Sequence, residues 1–226
     1  MRSGEQFGEQ RADVSNVQRQ RSAGHARPAR KPRTKPAEVR RDDLMDAAAT
    51  LFIARGIDAT TIDDIVAAAD VAKGTFYHYF TAKADVLVAL RDRFSQGFVT
   101  RVAAAVDACP ATDAVARLQR WTATAVDAYL DAYQLHDVVF HDYRHDRRQS
   151  QEKDVVIEQV LGILTVGIQA GTWSIESPRS TAMVIFHGMH GVVDDAIAAG
   201  HPDRGRIVQT LTDLFLRMLR VADRTI

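Results

Sequence analysis

The chain has 226 residues, 46% of them hydrophobic, which is enough for a folded core. Its formal net charge is zero, but residues 1–41 hold eleven Lys/Arg against four Asp/Glu and the remainder is acidic, so a basic tail is predicted on an acidic body. The single cysteine, Cys109, excludes an internal disulfide, and no apolar run reaches the ~20 residues that span a bilayer. We therefore expect a cytoplasmic protein with no membrane partner.

The N-terminal segment 1–37 is predicted to be a disordered basic tail. Pro28, Pro32 and Pro36 recur among arginines and lysines, and each proline removes a backbone donor and clashes with a preceding helical turn. Such a tail could bind a polyanion such as DNA along its minor groove, or it could be a solvated segment that only aids solubility.

From residue 38 the pattern becomes helical. Apolar residues recur at helical spacing between Leu44 and Phe52, and Gly56 is placed to end that helix. Thr61, with Asp64 three residues later, is typical of an acidic capping box at the start of a second helix. Asp70 suits the tight turn before a third helix, so residues 38–84 are predicted to form a three-helix, helix-turn-helix DNA-binding domain.

The third helix is the stretch "KGTFYHYFTAK", residues 73–83. At about 100° per residue, Phe76 and Phe80 fall on one face, while Gly74 and His78 define the opposite face. The first face suits a protein core. The second suits a DNA groove, because glycine permits close backbone approach and the flanking polar groups can reach bases and phosphates.

Seven residues are predicted to contact DNA, some through base edges and others through phosphates. The alternative is a small helical hairpin whose polar face only meets water. The predicted DNA-binding residues are Thr61, Lys73, Gly74, Thr75, Tyr77, His78 and Lys83.

Residues 40–90 resemble the DNA-binding region of the TetR (tetracycline-repressor-like) family of transcriptional regulators. The resemblance implies the same DNA contacts, a palindromic operator and a homodimer. Three positions depart from the family pattern: Asp70 replaces a usual glycine, Ala72 a common serine and Phe76 a usual leucine.

The rest of the chain is also predicted to be helical, and no sustained alternation favours a strand. The fold class is therefore all-α, with residues 85–226 forming a helical domain for ligand binding and dimerisation. Its helices are predicted near 83–107, 112–132, 135–148, 151–170, 179–199 and 204–222.

The last two helices are predicted to form the homodimer interface. The helix near 179–199 is apolar on nearly every side, with Gly188 and Gly191 permitting a close neighbour, and the helix near 204–222 has a broad apolar stripe. A two-fold four-helix bundle would bury both. The alternative is burial within a monomer.

Between the two ends lie helices rich in aromatic and histidine residues. By the family resemblance this region would hold the pocket of an unknown small-molecule effector, and aromatic walls suit an apolar ligand. Ordinary core packing is the alternative at each position. The predicted ligand-binding residues are Trp121, Tyr129, Phe140, His141, Phe186 and His190.

A competing hypothesis starts from segment 136–146, which contains His-Asp three times. A metal-dependent hydrolase could use such pairs. However, His141 and His145 share a helix face that His136 does not, and zinc catalysis requires three protein ligands and an open position. We therefore predict no enzyme, no metal and no cofactor.

The predicted function is a ligand-responsive transcriptional regulator that represses its target genes. It would bind operator DNA as a homodimer and release it when the effector binds. A dimer that binds DNA without any effector is a further alternative. The sequence identifies neither the effector nor the operator.

Overall fold

The computed structural model describes residues 37–140, 147–200 and 202–219. Within these ranges every secondary-structure element is a helix, as predicted. The basic segment 1–37 lies outside them except for its last residue. The helices are α1 (Ala37–Arg55), α2 (Ile62–Ala68), α3 (Lys73–Tyr79), α4 (Lys83–Asp107), α5 (Ala114–Phe140), α6 (Arg147–Gln169), α7 (Pro178–Ala198) and α8 (Arg204–Leu219).

The break predicted between the helices at 112–132 and 135–148 is present as a kink. The two helices adjoin at Ala132, whose φ of −130° and ψ of 19° are non-helical, and they are described together as α5. No glycine or proline stands between 132 and 140, so the chain continues as a helix after this single residue. Residues 141–146 lie outside the described part of the chain.

Helices α1 to α3 and the first half of α4 enclose the N-terminal core. The two local signals read from the sequence are present here: Thr61 and Asp64 form the capping box of α2, and Asp70 adopts a positive φ of 52° in the turn before α3. Ala72 provides no side-chain cap for α3. The buried residues of this core are Leu44, Met45, Ala48, Phe52, Ile65, Val66, Phe76, Phe80, Val86, Ala89, Leu90 and Val139.

The second half of α4 and helices α5 to α8 enclose the larger C-terminal core. Trp121, Leu118, Leu164 and Met189 are among its completely buried side chains.

The two cores are joined by α4 and by the end of α5. Helix α4 buries Val86 and Leu90 in the N-terminal core and Val102 in the C-terminal core. The end of α5 returns to the N-terminal core, where Val139 is buried. There the buried guanidinium of Arg91 donates from Nη2 to the Val139 carbonyl oxygen at 2.6 Å and from Nε at 3.2 Å. These bonds tie α4 to α5 at the junction.

None of the helices in the described ranges is both long enough and apolar enough to cross a bilayer.

Candidate DNA-binding surface and ligand cavity

The rings of α3 divide between two environments, as the helical wheel predicts. Phe76 and Phe80 are 0% and 5% exposed in the N-terminal core. Tyr77, between them, is 54% exposed, and Gly74 and His78 are exposed on the same outer side. A side chain added at Gly74 would meet no protein atom within 4 Å, so this glycine leaves an open surface that a groove of DNA could approach.

Three other predicted DNA-binding residues differ in exposure and in their polar partners: Lys73, Thr75 and Lys83. Lys73 is exposed, and its ammonium lies 2.8 Å from the Asp63 carboxylate, whose hydrogen bond and charge raise the pKa of Lys73. Thr75 is half-buried. Lys83 is also half-buried, and its ammonium donates to the carbonyl oxygens of Ile57 and Thr60, the second at 2.8 Å.

The DNA contact of Lys83 stays a prediction, and the structure shows that its ammonium is already engaged within the protein. The ammonium is hydrogen-bonded to two backbone carbonyl oxygens, which lie 26 and 23 residues earlier in the chain. It fastens the start of α4 to the turn between α1 and α2, and a phosphate would have to compete with both carbonyl groups.

Thr61 is exposed at the start of α2, but its hydroxyl is already engaged with Asp64. The Asp64 backbone N–H donates to the Thr61 hydroxyl at 3.1 Å, and the hydroxyl donates back to the carboxylate at 2.6 Å. The hydroxyl bond to the carboxylate and a second bond from the Thr61 backbone N–H at 2.9 Å, followed by Arg55 at 2.7 Å, lower the pKa of Asp64 to about 2. A phosphate at this helix end would meet an ionised carboxylate, so the Thr61 contact stays a prediction that local charge opposes.

One basic side chain beside α3 was not predicted. The guanidinium carbon of Arg41 lies 5.5 Å from the centre of the Phe80 ring, and the residue is exposed. The apolar periodicity of α1 carries no signal for this position, because the contact is formed between two helices.

In the other half of the molecule a cavity of about 270 Å³ lies between α4, α5, α6 and α7. It is mostly apolar, with several hydrogen-bonding groups. Its apolar lining residues are Phe94, Phe98, Phe140, Val156 and Phe186, and its polar ones are Ser95, Tyr129, His136, His187 and His190.

Polar groups of the cavity are ordered by a hydrogen-bonded chain. The hydroxyl of Tyr129 donates to Asp194 Oδ1 at 2.7 Å and lies 3.1 Å from Nδ1 of His136. Burial, followed by the hydrogen bond to Asp194, raises the pKa of the Tyr129 hydroxyl above its ordinary range. Burial and then the neighbouring His190 lower the pKa of His136 to about 4. Both groups are therefore neutral near pH 7.

Four of the six predicted ligand-binding residues line the cavity: Tyr129, Phe140, Phe186 and His190. Trp121 does not. It is 0% exposed within the C-terminal core, and is a packing residue. His141 lies outside the described residues.

The prediction also missed His136, Phe94 and Phe98, although the sequence contained a signal for them. His136 follows Tyr129 by seven residues and precedes Phe140 by four, and Phe94 and Phe98 are four apart. Both spacings place side chains on one helix face.

No group of three or more His, Cys, Asp or Glu residues in the described ranges is arranged to hold a metal ion. The histidines at 141 and 145 lie beyond those ranges.

Helices α7 and α8 expose several large apolar side chains. Half of the eight large hydrophobic side chains that the described residues expose lie on these two helices. A Cβ added at Gly191 would meet no protein atom within 4 Å. A Cβ added at Gly188 would lie 3.6 Å from the Phe215 ring, an ordinary van der Waals contact. The exposed apolar side chains on these two helices are Met183, Val184, Leu214 and Met218.

Comparison with known proteins agrees with this arrangement. Residues 44–90 match the family described as bacterial regulatory proteins, tetR family. Over 142 residues the chain is 32% identical to the HTH-type transcriptional repressor KstR2 of Rhodococcus jostii (strain RHA1), covering 59% of this chain and 68% of that protein. The chain belongs to the TetR family. It is therefore a DNA-binding transcriptional regulator and not an enzyme, and the hydrolase alternative is wrong.

Other similar proteins include both an activator and a repressor of transcription. The HTH-type transcriptional activator FasR of Mycolicibacterium smegmatis is 29% identical over 164 residues, covering 71% of this chain and 68% of that one. The complex of SmeT with triclosan has the same fold, with a TM-score of 0.65 and 18% identity over 83% of this chain and 94% of that one. SmeT is the repressor of a Stenotrophomonas maltophilia multidrug efflux pump.

Proposed function

We propose that this TetR-family regulator is a cytoplasmic repressor that binds a palindromic operator as a homodimer and releases it when a small molecule enters the cavity. The observation that carries the proposal is the division of α3 and its C-cap, where Phe76 and Phe80 are buried and Gly74, Tyr77 and His78 are exposed. A helix anchored on one face and open on the other can enter a major groove without disturbing the core.

The open face of α3 offers the chemistry that DNA requires. Tyr77 and His78 can donate to phosphate oxygens, and Lys73 brings a positive charge whose only described ion-pair partner, Asp63, is 70% exposed. Such an exposed pair is weak and screened by salt, so a phosphate can replace the carboxylate. These residues position the helix, and Thr75 and the backbone at Gly74 are its candidates for contact with bases.

A homodimer through α7 and α8 would cover the exposed apolar face formed by Met183, Val184, Leu214 and Met218. The named repressor relatives and the repressor SmeT favour repression over activation. Two copies of α3 could then reach successive major-groove segments, which lie about one turn of DNA apart.

The end of α5 provides a route from the cavity to α3. Its residues after the bend at Ala132 have two faces: His136 and Phe140 line the cavity, while Val139 is buried in the N-terminal core. A ligand that displaces one face must displace the other, because both belong to the same two helical turns. We accordingly propose that the functional boundary lies within α4 and α5 rather than in a flexible linker.

The DNA-binding proposal is tested with a random duplex library from which the protein selects its own sites. We expect an enriched palindrome, and Tyr77→Ala should weaken binding to it by about tenfold or more, as removing a well-placed contact does. Tyr133→Ala, at a tyrosine that is 37% exposed on α5, is the matched control and should bind normally. Equal binding by both variants would mean that α3 presents a different face to DNA.

The dimer is tested by sedimentation equilibrium. Leu214→Arg places a charge in the α7/α8 face and should yield monomers, because an unpaired charge is costly in an apolar interface. Val155→Arg, at a similarly exposed residue on α6, is the control and should remain dimeric. Dimers of the Leu214→Arg variant would rule out this interface.

A further inference from the structure

The hydrogen atoms in the chain Asp194–Tyr129–His136 can be assigned from geometry. A tyrosine hydroxyl has one hydrogen, and Tyr129 donates it to Asp194 Oδ1 at 2.7 Å. The 3.1 Å contact between the Tyr129 oxygen and Nδ1 of His136 must then receive its hydrogen from the histidine. A neutral histidine that carries hydrogen on Nδ1 has a bare Nε2, which can only accept.

The neutral form is the one that the surroundings favour. Burial lowers the pKa of His136 to about 4, with His190 acting in the same direction and Asp194 and Asp137 opposing it. Near pH 7 the ring of His136, which lines the cavity, therefore carries an acceptor at Nε2, and a ligand that bonds to this atom must supply the hydrogen.

The walls around this acceptor are aromatic. The His136 ring centre lies 4.7 Å from that of Phe140 and 5.4 Å from that of Phe94. On α7, the ring centres of Phe186 and His190 lie 4.3 Å apart. Rings at such separations pack well against a further ring in offset or edge-to-face geometry.

The volume of the cavity and the charge of its lining residues limit the class of ligand further. An apolar cavity of about 150 Å³ accepts benzene, and this one measures about 270 Å³, which is room for about two rings. None of the ten described residues that line it is Lys, Arg, Asp or Glu. An anionic ligand would lose its hydration without meeting a described cation, which is costly in an apolar site.

We propose that the cavity binds a neutral aromatic molecule of about two rings whose hydroxyl group donates a hydrogen bond to Nε2 of His136. Asp194 acts as a positioning residue, because it fixes the Tyr129 hydrogen and thereby the tautomer of the histidine. This inference gives the effector of the proposed function its chemical class, and rests on that function only for its regulatory consequence.

The test uses three probes that share one ring system: 2-naphthol, 2-methoxynaphthalene and 2-naphthoate. The first has a donor and, like the tyrosine phenol, is neutral at pH 7. The second has only an acceptor, and the third is an anion. Calorimetry on the full-length protein should find 2-naphthol bound about tenfold tighter than either of the others, the usual effect of one buried hydrogen bond.

Two variants check the mechanism. His136→Phe keeps an aromatic wall and the Tyr129–Asp194 bond but removes the acceptor, so the preference for 2-naphthol should disappear. In Asp194→Ala the Tyr129 hydrogen is free to turn toward Nδ1, the histidine hydrogen moves to Nε2, and the ratio of the 2-naphthol and 2-methoxynaphthalene affinities should fall to about one. Asp195→Ala, at the adjacent exposed acidic residue, should keep the ratio of the unaltered protein.

Equal or tighter binding of 2-methoxynaphthalene, tight binding of 2-naphthoate, or no binding of any probe by the folded protein would overturn the ligand class. The regulatory proposal fails separately. If 2-naphthol binds with the expected preference but saturating amounts leave the affinity for the selected palindrome unchanged, the ligand class stands and the effector role of the cavity does not.

Discussion

The molecule uses the same residue types in two opposite ways. In α3 and its C-cap, residues 76–80 are Phe, Tyr, His, Tyr and Phe; the two phenylalanine rings are buried in the core, and Tyr77 and His78 are exposed. In the C-terminal region, Tyr129, His136, Phe140 and Phe186 all line one cavity. The first arrangement presents a surface and the second surrounds a volume.

The difference teaches that polar partners, more than aromatic content, distinguish the two sites. The exposed Tyr77 has no hydrogen-bonded chain among the described residues, so its hydroxyl remains available to an incoming phosphate. The Tyr129 hydroxyl is committed to Asp194 and, through His136, defines what a ligand must offer. Substitutions that exchange or remove these partners should therefore have separable effects on stability, DNA binding and ligand choice.

The largest expected effect separates two neighbouring rings of α3. Phe76→Ala should lower the free energy of unfolding by about 3–5 kcal/mol, because it removes a completely buried ring. Tyr77→Ala should lower it by less than about 1 kcal/mol, as for an exposed site. Urea denaturation followed by circular dichroism measures both. Similar losses for the two variants would contradict the division of the helix.

The next effect concerns the junction between the two regions. Arg91→Met should cost about 2–3 kcal/mol, because it removes two charge-assisted hydrogen bonds and leaves the Val139 carbonyl oxygen without them. Arg93→Met removes exposed ion pairs with Asp46 and Asp42 and should change stability by no more than about 0.5 kcal/mol. The same denaturation experiment applies, and a larger loss for Arg93→Met would show that the junction is not held by Arg91.

Acidification should lower the free energy of unfolding through His136. An unfolded histidine, with a pKa near 6.5, takes up a proton at a higher pH than folded His136, whose pKa is about 4, so acid favours the unfolded chain. Between pH 7 and pH 5 this should cost about 1–2 kcal/mol of unfolding free energy.

The His136→Phe variant isolates that contribution from every other titrating group. Unfolding free energies of the two proteins, measured at pH 7 and pH 5, should show a smaller loss for the variant. Parallel losses would mean that His136 titrates normally in the folded protein.

The smallest effect distinguishes the two lysines that flank α3. Lys83→Met should reduce stability by about 1 kcal/mol by removing the bonds to Ile57 and Thr60, with little change in the salt dependence of DNA binding. Lys73→Met should leave stability unaltered and reduce the logarithmic salt slope by about 0.9, the value for one lost phosphate contact. Fluorescence anisotropy at several salt concentrations would detect a reversal of these roles.

The sequence predicted the parts of the fold that depend on neighbours in the chain. The wheel placed Phe76 and Phe80 in the core, and the Thr61–Asp64 box and the Asp70 turn form through residues within one or two turns of each other. The bonds of Lys83 to two carbonyl groups could not be predicted, because those partners are distant in the chain. The burial of Trp121 away from the cavity could not be predicted either, because a core ring and a cavity-lining ring have the same periodicity.

The cavity was predicted only in part for a related reason. In the sequence His136 is one of three His-Asp pairs, and that repeat is a more conspicuous pattern than the helix face that His136 shares with Phe140. The chain that makes its Nε2 an acceptor runs through Asp194 on another helix, 65 residues from Tyr129. A constraint of this kind exists only once the helices have packed.

The anchoring of Lys83 has a mechanical consequence. Because the first residue of α4 is hydrogen-bonded to the turn between α1 and α2, a tilt of this 25-residue helix, about 37 Å long, would carry that turn with it. A tilt of about 5° would move the N-terminal end of α4 by about 3 Å, close to the 3.4 Å rise of one base pair. In the proposed homodimer, such a tilt in each copy would be enough to shift the two α3 helices out of register with their half-sites.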